Sequence, residues 1–343
     1  MSGGSESSTH DLCCELLKCD CEVAVVSSIE NKGFIYYRNR VLSKLKKSHF
    51  IYDSALGYPV YRGWNFNDGL QEVIGDFKPD VAVVQAGNPF KLVNLISGLN
   101  LPVVLYMRDI EFHLNSEELN INANVGFIAN SNFTARRFNE LYQVDSCVIP
   151  PLIKPDNYIV KNRGDAVLHI GLHQRKGIDI SFELAKRRPD IPFVFVESWP
   201  LSQKEYLNYQ KRAAVLRNVI LYRRSSDMKK YYRMAKLLLV PSCGEEAWGR
   251  VVTEAQLSGI PVIASNRGGL PESVGLGGSI VPYDSSIDEW EKSLSSILND
   301  EGRYLQVSEA ALERSKDVKI SKEYLLDRFV TYLSNHIQST KVG

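Results

Sequence analysis

Short apolar, β-branched runs alternate with longer stretches of helical periodicity along this chain. Glu22–Ser27, Val81–Val84, Val103–Tyr106 and Gly126–Ala129 read as strands buried on both faces of a parallel sheet. Residues 68–77 and 89–99 between them suit helices or turns. The rhythm resumes at Ala166–Ile170, Phe193–Val196, Val219–Tyr222, Leu237–Val240, Pro261–Ala264 and Ser279–Val281. Helices are expected over about 177–188, 202–216, 227–235, 248–258 and 286–299. Strands alternating with helices predict βαβ units, right-handed crossovers and doubly wound α/β sheets. Ser321 to Gln338 places Tyr324, Leu325, Phe329, Tyr332, Leu333 and Ile337 at helical spacing, an amphipathic terminal helix that needs a surface to pack on.

The two rhythms are separated by Ile149-Pro-Pro-Leu-Ile-Lys-Pro155. Three prolines in seven residues predict a stiff, extended linker. The expected division is one domain over 1–152 completed by the terminal helix 318–343, and a second over 160–317. A doubly wound domain should open with a strand feeding a glycine turn, yet Gly3-Gly4 leads directly into a helix over about 7–17. Either the start lies upstream of Met1, or the first sheet lacks a strand.

Composition narrows the function classes. With 343 residues the chain is long enough for two cores, and 44% hydrophobic against 24% charged residues excludes wholesale disorder. Forty-one basic against 40 acidic residues leaves a net charge of +1, so no global electrostatic case exists for a nucleic-acid partner. No apolar run approaches the ~20 residues that span a bilayer, and Met1-Ser-Gly-Gly-Ser-Glu has no signal-peptide pattern, so the expected compartment is the cytoplasm. Of the six cysteines, Cys13, Cys14, Cys19 and Cys21 crowd together at a spacing that matches no zinc or redox motif, and they read as reduced thiols.

The strongest chemical signal is Val240-Pro-Ser-Cys-Gly-Glu-Glu246-Ala-Trp-Gly249-Arg-Val-Val-Thr-Glu254, followed by Ala-x-x-x-Gly259-x-Pro-Val. A buried strand ends, a loop of small residues follows, and a helix begins near Gly249. Helix N-termini present N–H groups and a positive dipole end that suit a phosphate. Carboxylates beside them, Glu246 and Glu254, suit a diol, because each accepts strong hydrogen bonds from hydroxyls. Ligands of open α/β sheets bind outside the carboxyl ends of the strands, where this loop falls.

This segment resembles the retaining, two-Rossmann-domain (GT-B) glycosyltransferases of family 4, whose signature is a Glu, seven residues and a second Glu in this setting. Ile170-Gly171-Leu-His-Gln-Arg175-Lys176-Gly177 is similar to the family's Gly-Arg…Lys-Gly stretch. Gly268-Gly269-x-x-Glu272, Ala129-Asn-Ser131-Asn-Phe-Thr-Ala-Arg136 and Gly3-Gly4-x-Glu6 also resemble family segments. The resemblance implies two Rossmann-like domains facing across a cleft, with the terminal helix crossing back to the first. It implies an enzyme moving a hexose-type sugar from a nucleoside diphosphate to a glycan or lipid-linked acceptor, without a metal or other cofactor. Glu254 would hold the ribose hydroxyls and Glu246 the donor sugar. The backbone from Gly249 through Arg250, Val251 and Val252 would receive the diphosphate. Lys176, with Arg175, would neutralise the leaving group, and Gly3 and Gly4 would allow close backbone approach.

Two departures stand out. Leu172 occupies the place of the family's arginine, and Met107-Arg108-Asp109 replaces its usual His-Asp. Arg108 could clamp a phosphate or an acidic acceptor but cannot act as a base at neutral pH. His113 is an alternative to the missing histidine. These departures motivate a second reading, a non-catalytic relative that binds nucleotide or glycan without transfer; an epimerase or a phosphorylase on the same scaffold is a third. The segment 34–50 carries Arg38, Arg40, Lys44, Lys46 and Lys47 among apolar residues. It reads either as a solvated helix face or as a peripheral contact with the inner face of an anionic membrane.

Overall fold

A computed structural model of the chain describes residues 4–29, 37–38, 40–41, 49–64, 66–85, 88–112, 117–161 and 164–342. The apolar runs form strands, in chain order β1 (Val25–Ser28), β2 (Phe50–Asp53), β3 (Val60–Gly63), β4 (Ala82–Val84), β5 (Val103–Met107), β6 (Val125–Ala129) and β7 (Cys147–Val148). They continue as β8 (Ala166–Ile170), β9 (Phe193–Val196), β10 (Val219–Tyr222), β11 (Ala235–Val240), β12 (Val262–Ser265) and β13 (Gly278–Val281). By Cα proximity the chain divides into two units, one of 1–8, 106–114 and 127–329, the other of 9–105, 115–126 and 330–343.

The first unit is organised by a six-stranded sheet in the order β10-β9-β8-β11-β12-β13, every neighbouring pair parallel. Period-two alternation sends Val167, Phe193, Phe195, Leu237, Leu239 and Ile263 into one core. Leu168, Val194, Leu238, Val262 and Ala264 enter the other. Burial on both faces explains why these strands are continuous apolar runs rather than alternating ones. Helices Ile178–Arg187 and Ile287–Leu298 supply Phe182 and Trp290 to the first core. Helices Lys229–Tyr232 and Arg250–Gln256 supply Tyr232 and Val252 to the second. Chain order runs from β8 outward to β9 and β10 on one side, then returns to β11, β12 and β13 on the other. Strand order therefore reverses between β8 and β11, the position where open α/β sheets bind ligands.

The second unit contains the sheet β1-β3-β2, in which β3 pairs parallel with β1 and antiparallel with β2. A four-stranded sheet, β4-β5-β6-β7, has strands with residues in both units. Within the second unit β4 pairs in parallel with Val103–Leu105, and within the first Ile128 and Ala129 pair with β7. The terminal helix, Lys322–Val342, also has residues in both. In the first unit Phe329 packs 6.0 Å from the Tyr106 ring. In the second, His336 Nε2–H donates to Asn124 O (3.1 Å).

Several elements were not expected from the sequence: β2, β3, β7 and the helices Asn132–Tyr142, Leu270–Val274 and Glu301–Ser315. The proline segment is not a solvated spacer, since Ile149, Leu152 and Ile153 are buried and Tyr106 Oη donates to Ile149 O (2.7 Å). The six cysteines are thiols rather than disulfide-bonded. Among the described residues no helix is long and apolar enough to cross a membrane. Most of the basic segment 34–50 lies outside the described residues.

Candidate active site

The loops after β8 and β11 meet at the point where strand order reverses. After β8 the chain makes a short turn, Gln174–Lys176, and enters Ile178–Arg187 through Gly177. Gly177 has φ +72°, and a Cβ there would lie 1.8 Å from Pro241 O, so only glycine lets the two loops close on each other. The Cys243 and Gly244 N–H groups both donate to Arg175 O (3.0 and 2.9 Å), fastening the loops together through the backbone.

Lys176 and Glu246 come together across that junction. Lys176 Nζ donates to Glu246 Oε1 at 2.5 Å, and Ser242 Oγ donates to the same oxygen at 2.8 Å. The ammonium also lies 5.0 Å from the centroid of Trp199, a ring that is 47% exposed. Gly269 N–H donates to Glu246 O (2.6 Å) and fixes the carboxylate's backbone.

Glu254 lies on the helix Arg250–Gln256 and is only 5% exposed. Tyr232 Oη donates to its Oε2 (2.7 Å) and Arg250 Nε to its Oε1 (3.2 Å). Each carboxylate oxygen keeps acceptor capacity beyond one partner. Burial, reinforced by the Glu254 carboxylate, holds the Tyr232 phenol well above its ordinary pKa, so it remains a donor. Arg250 is anchored by Leu152 O (3.3 Å) and Tyr158 Oη (3.0 Å). Gly249 opens the helix with φ +91°, and a Cβ there would come within 2.6 Å of Leu270 Cδ2. At the helix start Val252 N–H donates to Gly249 O (2.9 Å), Val252 is buried in the second core, and Val251 packs against it.

The remaining expected residues have partners of their own. Arg175 ion-pairs with Glu111. Arg108 donates to Ser8 Oγ (2.6 Å) and stacks 3.9 Å over Tyr106. Burial raises the carboxyl pKa of its neighbour Asp109. Gly4 is the first residue of the helix Gly4–Leu16, and a Cβ there would sit an ordinary 3.6 Å from Arg250 Cδ. Gly3 and His113 lie outside the described residues. Leu172, where the family has arginine, is 2% exposed and packs into the first core.

Sequence reasoning missed Ser242, Trp199, Tyr232 and the role of Glu272. The Glu272 carboxylate accepts from Asn132 N and Nδ2 (2.8 Å each) and Phe133 N (2.6 Å) at the start of helix Asn132–Tyr142. The four-residue spacing from Ser242 to Glu246 is visible in the sequence; the other contacts arise only on folding. Among the described residues no group of three or more His, Cys, Asp or Glu side chains is arranged to hold a metal ion.

Residues 161–314 match the family model of glycosyl transferases group 1. Over 91 residues the chain is 34% identical to D-inositol 3-phosphate glycosyltransferase of Corynebacterium aurimucosum, 26% of this chain and 21% of that protein. The chain thus spans about a fifth of the length of that curated relative, 21%. A Haemophilus influenzae protein named as an uncharacterized glycosyltransferase is 23% identical over 352 residues, 94% of each chain. The HepE protein of Anabaena, in complex with UDP-glucose, superposes with a TM-score of 0.75 over 98% of this chain and 97% of its own, at 16% identity. The fold is that of the GT-B glycosyltransferases.

Proposed function

We propose, for a chain whose residues 161–314 belong to the glycosyl transferases group 1, transfer of a hexose-type sugar from a nucleoside diphosphate to a glycan or lipid-linked acceptor, with retention at the anomeric carbon. The observation that carries this reading is the meeting of Lys176 with Glu246 between β8 and β11, on the same sheet edge as the buried Arg250–Glu254–Tyr232 group.

The chemistry follows from charge. Glu254 accepts the ribose hydroxyls while Arg250 and Tyr232 hold it in place. The first turn from Gly249 takes the diphosphate. Without donor, Lys176 is neutralised by Glu246; when the diphosphate arrives, the ammonium shifts toward it and Glu246 turns to the sugar hydroxyls. The anomeric carbon–oxygen bond to the diphosphate breaks, and the acceptor oxygen bonds on the same face. The acceptor proton passes to the departing diphosphate, whose growing charge Lys176 stabilises. No metal or further cofactor is required by this scheme.

The test is to incubate the protein with UDP-, GDP- and ADP-sugars and a set of neutral, carboxylated and phosphorylated sugar acceptors and follow nucleoside diphosphate release, taking UDP-glucose first because the Anabaena protein binds it. Turnover by wild type that Glu246→Gln abolishes supports the assignment. Absence of turnover with every donor, or equal turnover in the variant, refutes it.

A further inference from the structure

A cavity of about 380 Å³ opens within one residue of the Lys176–Glu246 pair along both chain segments that form it. Its wall holds three guanidinium groups, Arg137, Arg175 and Arg267, and two carboxylates, Glu111 and Glu245, with Ile110 and Gly244 completing the lining. The arginines converge from separate elements: the helix Asn132–Tyr142, the loop after β8 and the loop after β12.

Each arginine has a carboxylate within ion-pair distance. Arg175 ion-pairs with Glu111, while Arg267 Nη2 lies 4.0 Å from Glu245 Oε1, and its guanidinium lies 4.3 Å from the Tyr283 ring centroid. Arg137 Nη1 is 3.3 Å from Glu140, whose side chain is not part of the wall. The side chains of Arg137 and Arg175 are 52% and 54% exposed, so a ligand can reach them. Exposed ion pairs are weak, and guanidinium binds an oxyanion through two parallel hydrogen bonds. An arriving oxyanion can therefore displace the carboxylates, and the wall's positive charge exceeds its negative charge by one.

We propose that this cavity is a subsite for an oxyanion, phosphate or carboxylate, carried by the acceptor. The inference rests on the transferase reading and names the acceptor class that reading leaves open. The volume falls in the range of small-molecule sites and has room for a charged sugar. A neutral sugar leaves the Arg175–Glu111 and Arg267–Glu245 pairs in place and gains no charge-assisted contact from them, which favours an anion. The donor diphosphate would be met by Lys176, with Arg175 beside it, and by the start of helix Arg250–Gln256, so Arg137 and Arg267 remain for the second substrate.

Calorimetric titration tests this. Inorganic phosphate, glucose 6-phosphate, glucuronate and glucose are added to protein saturated with the nucleoside diphosphate it binds, in wild type and in the double variant Arg137→Met/Arg267→Met. The expected result is that inorganic phosphate binds, that at least one sugar anion binds tighter than phosphate, and that glucose does not bind. The double variant should weaken anion binding at least tenfold and leave nucleotide affinity unchanged. Circular dichroism checks its fold, and if it fails to fold the single variant Arg267→Met, expected to weaken anion binding at least threefold, carries the test. Binding of glucose as tight as its phosphate, absence of anion binding, or unchanged anion affinity in the folded variant overturns the proposal. Phosphate binding with no gain for either sugar anion assigns the cavity to free phosphate and overturns the acceptor role. Should no nucleotide bind wild type, the donor reading fails by itself, and the same titrations without nucleotide still decide the anion cavity.

Discussion

Acidification should loosen the donor-side loops through His169, a residue that touches no proposed substrate. This imidazole is buried in β8, with Nε2–H donating to Gly171 O and Nδ1 accepting from Ser181 Oγ, each at 2.9 Å. Burial is the main cause that pulls its pKa down to about 4, and the neighbouring Lys176 charge lowers it further. In the unfolded chain the same imidazole titrates near about 6.5. The unfolded state therefore binds its proton first as pH falls. The stabilisation is complete above about 6.5 and disappears progressively as pH drops toward about 4. Between pH 7.5 and pH 5 the loss comes to about 2 kcal/mol, at roughly 1.4 kcal/mol per unit of pKa difference. The assay is urea unfolding of wild type and His169→Gln at several pH values, followed by fluorescence of the buried tryptophans, Trp248 and Trp290. Other titrating groups are common to both proteins and cancel in the difference. The stability gap between them should shrink by about 2 kcal/mol across that window. A gap that stays constant, or a His169 ring resonance titrating above pH 6, would refute the reasoning.

Three further outcomes follow from the same geometry. Gly177→Ala must place a Cβ where Pro241 O now stands and hold alanine at positive φ, costing about 2 kcal/mol or more; a melting temperature lower by roughly 4–8 °C is expected. Glu246→Gln frees Lys176 from its partner, so nucleoside diphosphate binding should hold or tighten while transfer is lost, whereas Lys176→Met should weaken that binding. Tyr232→Phe strips the buried Glu254 Oε2 of its donor, and denaturant unfolding should show a loss of about 1.5–3 kcal/mol.

The sequence showed much of the sheet that carries the site. Runs such as Phe193–Val196 and Leu237–Val240 are apolar at every position because each strand is covered on both faces, and that pattern survives without tertiary information. The helix Glu301–Ser315 went unseen because two of its four buried positions, Ser308 and Ala311, are polar or small, which blurs its stripe. Strands β2 and β3 each open with two consecutive buried residues and span only four positions, so they show no clear period. At the site, the spacing from Glu246 to Glu254 pointed to the loop and helix. The pairing of Lys176 with Glu246 joins residues 70 positions apart, and Tyr232 reaches Glu254 from another helix. Such contacts depend on strand order, which local patterning does not encode. Leu172 shows the converse: a departure from the family pattern becomes intelligible once its side chain is found inside the first core.

Calorimetric titration of UDP, GDP and ADP into wild type and Glu254→Ala decides whether a nucleotide site is built around Glu254. Selective binding of one nucleoside diphosphate by wild type is expected. Loss of a hydrogen-bonded charged contact, about 1.5–3 kcal/mol, should weaken it roughly tenfold to a hundredfold in the variant. Equal affinity in both proteins, or no binding of any of the three by folded wild type, would contradict the account.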